Sequence, residues 1–129
     1  MCSIIRAFLL FPLLYSACNA HSMTPGFETV ATTTNSVVMQ YELSNAYSFA
    51  AVYEIFVVNK DGSIYKDWDT PHSIYKLNPG SKRNMIITFN NILEQRKVMV
   101  CTKLIGVTRN ESPPKITSVV CSRLIINKF

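Results

Sequence analysis

Apolar and polar residues alternate along this chain with the two-residue period of strands, and the 3.6-residue period of an amphipathic helix is nearly absent. Residues 27–34 are rich in Thr and Val and predict a first strand, at a sheet edge. Residues 36–43 predict a second, ending at Ser44-Asn45. Residues 49–58 make a longer apolar run, as a central strand should. Within it Tyr53, Ile55 and Val57 share one face. Val52, Glu54, Phe56 and Val58 share the other, which would put Glu54 toward solvent. Asp61-Gly62 offers the positive φ angles of a tight hairpin turn, and residues 63–68 continue as a shorter strand. Residues 67–72 read as a loop. Residues 74–77 run into Asn78-Pro79-Gly80, where Pro presets one corner of a turn and Gly frees the next. Residues 84–89 predict another strand, closed by Asn90-Asn91.

The last third of the chain is a long hairpin. Two β-branched runs, residues 97–105 and 115–126, flank the break Asn110-Glu111-Ser112-Pro113-Pro114. Folding about Glu111 sets Cys101 opposite Cys121. In a non-hydrogen-bonded antiparallel pair the Cα atoms lie about 4.5 Å apart, at the short end of what a disulfide spans. A Cys101–Cys121 bridge within one sheet is therefore expected, unlike the inter-sheet bridge of antibody domains. It closes a loop of about 20 residues, for which chain entropy gives roughly 3 kcal/mol. Side-chain parity then groups Val98, Val100, Thr102 and Leu104 with Val120, Ser122, Leu124 and Ile126, and this more apolar set is assigned to the core. The bridge would lie on the outer face, beside Met99 and Arg123. Together the segments predict an all-β fold: an immunoglobulin-like β-sandwich of roughly seven or eight mostly antiparallel strands.

Residues 1–20 stand apart from that pattern. Arg6 precedes the apolar stretch 7–15, and small residues follow as far as Ala20, which reads as a secretory signal peptide. The apolar run falls short of the ~20 residues a membrane-spanning helix needs. Residues 21–129 would then be a single sandwich domain, periplasmic or secreted. Tyr15-Ser16-Ala17-Cys18 also resembles a degenerate lipobox, so a membrane tether is expected only if Cys18 is lipidated. Two cysteines remain after residue 20, an even count suited to an oxidising compartment.

Charge adds little. Loss of Arg6 with residues 1–20 leaves 12 of the 13 bases against 8 acids, a net charge of +4. No Lys or Arg occurs in residues 21–59, and the remaining bases are scattered over predicted turns and strands from Lys60 to Lys128. Scattered bases on an exported chain argue against a nucleic-acid partner. Asp67, Asp69 and His72 flank Trp68 without calcium-loop spacing, and His21 and His72 are isolated, so no metal is expected. No nucleophile–base pair or Gly-rich phosphate loop is visible, so neither an enzyme nor a cofactor is expected.

Several segments together resemble the first domain of the periplasmic chaperones that assemble pili through the chaperone–usher pathway. Thr70-Pro71 followed by Ile74-Tyr75-Lys76-Leu77-Asn78-Pro79-Gly80 is similar to that family's Pro-rich segment and its Leu-x-Pro-Gly turn. Val100-Cys101-Thr102-Lys103 and Val120-Cys121-Ser122-Arg123-Leu124-Ile125 resemble the paired last strands of its cysteine-bearing subgroup. The likeness covers roughly residues 36–126. The family has two sandwich domains with an assembly cleft between them, and the resemblance gives this chain one. Of the two bases that hold a subunit's terminal carboxylate in that family, Arg123 matches the one on the last strand; the other has no counterpart before Lys60.

The resemblance implies a chaperone-like assembly factor for pilus or surface-apparatus subunits. It would bind an extended strand of a protein partner at a sheet edge, with Ile116, Val119, Arg123 and Ile125 as the strand-addition residues. A structural component of a surface or secretion apparatus is a competing expectation, as is a homodimer that covers the same strand. A secreted ligand-binding domain is a third; Asn110-Glu111-Ser112 fits a glycosylation sequon, although Pro113 follows it.

Overall fold

The computed structural model describes residues 21–107 and 118–129, and the sequon and Ile116 lie outside them. Among the described residues nine strands form: β1 (His21–Thr24), β2 (Phe27–Thr32), β3 (Val37–Asn45), β4 (Ala51–Asn59), β5 (Trp68–Asp69), β6 (Ile74–Leu77), β7 (Lys82–Phe89), β8 (Arg96–Val107) and β9 (Val119–Lys128). They make two sheets, ordered β1-β3-β7-β5 and β2-β9-β8-β4-β6. Alternation sends one side of each strand into the space between the sheets. Tyr41, Leu43, Met85, Ile87 and Phe89 enter from the first sheet; Tyr53, Ile55, Val57, Val100, Leu124 and Ile126 enter from the second, all nearly inaccessible. Each such side chain contributes about 1.5–3 kcal/mol on leaving water. The all-β immunoglobulin-like sandwich is thus the fold, and the parity expected of β4, β8 and β9 holds.

The first strand departs from expectation. The chain forms β1 before the segment predicted to start the fold, pairing His21–Thr24 antiparallel with Glu42–Asn45 of β3. Pro25 has no N–H to give to a ladder, and here the chain crosses to the other sheet; the Thr24–Pro25 peptide is cis. It resumes as β2, an edge strand as expected, which pairs parallel with β9 from Phe27↔Arg123 to Thr32↔Lys128.

Residues 63–68 do not form the continuous strand predicted for them. The turn at Asp61-Gly62 is present, with Gly62 at φ 89° and its N–H on the Asn59 carbonyl at 2.9 Å. After it only an isolated bridge, Val58↔Ile64, joins β4. The Tyr65 ring is buried and lies 6.2 Å from Phe89 of the opposite sheet. The chain follows that ring across the sandwich, so Trp68 pairs with Phe89 in β5 rather than with β4. Residues read as loop therefore supply the two-residue strand Trp68–Asp69. The chain returns through β6 and turns at Gly80, φ 69°.

Asn45, at the end of β3, ties this region together. Its Nδ2 donates to the carbonyls of Phe49 (3.0 Å), Leu77 (3.1 Å) and Asn78 (3.2 Å). Its Oδ1 accepts from the Tyr47 N–H (3.1 Å) and the Tyr53 hydroxyl (2.9 Å).

Candidate functional site at the edge of the last strand

The β8–β9 register is the one that the cysteines predict, with Cys101 opposite Cys121 and Met99 opposite Arg123. The two cysteines are bonded, and their Cα atoms are 4.1 Å apart. They lie on the outer face. Cys101 is nonetheless buried, since Phe56 of β4 stands beside it on that face and Cys121 on the other side.

The hydrogen-bond phase of β9 follows from one contact. The Leu104 N–H donates to the Ser118 carbonyl at 2.9 Å, so even-numbered residues of β9 direct their backbone groups to β8. Odd-numbered residues direct theirs the other way. Arg123 does so, its N–H donating to the Gly26 carbonyl at 3.0 Å, and from there to Lys128 that edge is covered by β2. Upstream, Val119 and Cys121 turn N–H and C=O groups to an edge where no strand pairs with them among the described residues. The Val119 side chain is 47% exposed.

The strand-addition residues expected from sequence therefore separate. Val119 is at the uncovered edge. Arg123 and Ile125 project from the outer face, while the edge beside them is occupied by β2. Ile116 falls outside the described residues.

Sequence reasoning missed the residues that border this edge. His21 is buried on β1. Its Nε2 lies 3.3 Å from the Thr102 carbonyl and 3.2 Å from the Thr102 Oγ1. A carbonyl can only accept, so Nε2 carries the proton and Nδ1 accepts from the Ser118 hydroxyl at 3.0 Å. The ring packs 4.7 Å from Tyr53. Burial holds the imidazole below its ordinary pKa, with the Thr102 carbonyl partly opposing that shift. The Ser122 hydroxyl donates to the Pro25 carbonyl. Alternation over residues 21–24, closed by Pro25-Gly26, was the available signal for this strand.

Around β5, Asp67 accepts from the Asn91 side chain at 3.3 Å and Asp69 accepts from the Thr70 N–H at 2.8 Å. Among the described residues no cluster of His, Cys, Asp or Glu could hold a metal ion, and no helix is long and apolar enough to cross a membrane.

The described sandwich has a PapD-like immunoglobulin fold, shared with solved structures at low sequence identity. Solved structures with this fold include the periplasmic chaperone SfaE, with a TM-score of 0.65 at 10% identity over 84% of this chain and 57% of that one. The Salmonella enterica SafB chaperone, solved with the SafA pilin, appears in a complex that matches with a TM-score of 0.67 at 13% identity, over 95% of this chain and 57% of that one. A PapD-like domain of human CEP192 matches with a TM-score of 0.61 at 12% identity, over 98% of this chain and 97% of that one. This chain thus spans little more than half the length of the chaperone structures it matches. No family model matches it, and no curated protein matches it in sequence.

Proposed function

We propose that this chain is an exported, chaperone-like binding module that takes up an extended strand of a protein partner at the N-terminal half of β9. One observation carries the reading. Val119 and Cys121 present a short ladder of backbone groups unpaired among the described residues, next to an apolar strand, where the covering strand β2 has not yet begun. Such an edge invites pairing with another chain unless it is protected or used. The likeness to SafB, which was solved with a pilin, supports the partner class: a pilus or surface-apparatus subunit offering an extended segment is the partner proposed here. Residues 1–20 direct export to the periplasm in this reading, where the Cys101–Cys121 bridge forms.

Val119→Pro tests it. Among the described residues the Val119 N–H serves no bond, so Pro fits the strand there but removes the donor a partner would use. The expected result is an unchanged circular dichroism spectrum and lost co-purification of the strand-donating partner from the periplasm. In wild type, partner binding should slow hydrogen exchange at the Val119 and Cys121 amides. If folded V119P recovers the same partners in equal yield, the strand-addition reading is wrong.

A further inference from the structure

The outer face of the five-stranded sheet carries a second feature, apart from the β9 edge. A groove of about 480 Å³ opens there, with Phe27, Met99 and Ile125 as apolar walls and Lys60, Lys97 and Arg123 among its lining. The register places the cations. Met99 pairs with Arg123 and Lys97 with Ile125, so Lys97 and Arg123 are diagonal neighbours on one face. Asn59 pairs with Val98, which brings Lys60, the turn residue just after β4, beside Lys97. Strands lie about 4.8 Å apart, so the three residues are set in a row roughly 10 Å long across β9, β8 and the turn that follows β4.

Like charges set side by side on a sheet are unfavourable. None of the three has an ion-pair partner among the described residues, whose pairs are Lys82–Glu42 and Arg96–Glu94. Among the described residues no acidic side chain lines the groove. The nearest in sequence, Asp61, is held in its own turn by the Ser63 N–H and hydroxyl. Phe27 is 58% exposed at the mouth of the groove. Among the described residues three cations thus stand without an ion pair against an apolar trough.

We infer that this groove is a docking site for an acidic peptide segment of a partner protein, one that places an apolar side chain between Phe27 and Met99 and carboxylates along Lys60, Lys97 and Arg123. The spacing selects this occupant. A single phosphate or lipid headgroup needs cations converging on one point, whereas a row across two strands and a turn matches charges distributed along a chain. The trough between them would receive a side chain that a flat bilayer surface does not supply.

The test uses a dye-labelled glutamate-rich peptide with one central phenylalanine, followed by fluorescence anisotropy on the whole folded chain. The peptide should bind, weaken by about tenfold or more with Lys60→Glu/Lys97→Glu, and weaken in high salt. Phe27→Ser should also weaken it, as should replacing the peptide's phenylalanine with serine. Circular dichroism should be unchanged in these surface variants. Binding should persist in Val119→Pro, and K60E/K97E should still capture a strand at the β9 edge, so the two sites fail separately. Equal binding of the serine peptide, or full competition by inorganic phosphate, would reduce the groove to a general anion contact and overturn the proposal. Retention on phosphatidylglycerol vesicles with no peptide binding would overturn it in favour of a membrane surface. Absence of any binding would overturn it outright.

Discussion

The carboxamide of Asn45 has no solvent exposure, yet it serves carbonyls from two turns and the hydroxyl of the equally buried Tyr53. Asn45→Ala strands those groups in a dry interior and should cost on the order of 2–4 kcal/mol in urea denaturation. Asn45→Asp should cost at least as much, because a carboxylate cannot donate to the carbonyls of Leu77 and Asn78. His21 makes a different prediction. Its neighbours Thr102, Ser118 and Tyr53 are neutral and its pKa is lowered by burial, so the folded state binds its proton less readily than the unfolded chain. Stability from this site should therefore be full above the unfolded value of 6.5 and should fall as pH drops through the lower folded value. His21→Gln should flatten that dependence, measured as the denaturation midpoint against pH. An equal slope in the variant would assign the acid sensitivity elsewhere.

At the scale of elements, the β8–β9 hairpin was largely legible in the sequence. Two cysteines opposite each other fixed its register, and parity then separated Val98, Val100, Leu124 and Ile126 from the outer face. Parity also put Thr102 and Ser122 in the core without saying what would satisfy them. Their partners, His21 and the Pro25 carbonyl, come from the start of the chain, about a hundred residues away in sequence. Local patterning carries no information about such contacts. The same limit explains β5: the draw of Tyr65 toward Phe89 is a contact between sheets, invisible in the alternation of residues 63–68. It also explains the edge, since where β2 begins to cover β9 decides which of Val119, Arg123 and Ile125 stays open. The bridge gives this element its own prediction. Cys101→Ser/Cys121→Ser should lower stability by about 3 kcal/mol, read as a shift in urea midpoint, because it frees a loop of 20 residues in the unfolded chain. A midpoint unchanged by reduction of the wild type would show that the bridge does not limit unfolding.

For the whole molecule, the likeness to chaperones and to a human PapD-like domain at 10–13% identity shows how little of this architecture depends on particular residues. What recurs is the topology, and its N-terminal strand has a temporal consequence. Phe27 pairs with Arg123, and Thr32 pairs with Lys128, so the first long strand of the second sheet waits for the last. A chain emerging N-terminus first can close the β3–β7 pairing early, but it cannot complete the five-stranded sheet until β9 is available. Contacts so distant in sequence make folding slow relative to helical domains of similar size. A chain truncated before Val119 should stay protease-sensitive after refolding, and resistance should return only when β9 is present to pair with β2. The parallel β2–β9 pair thus acts as a latch: the second sheet stays open, and visible to proteases, until β9 arrives to close it.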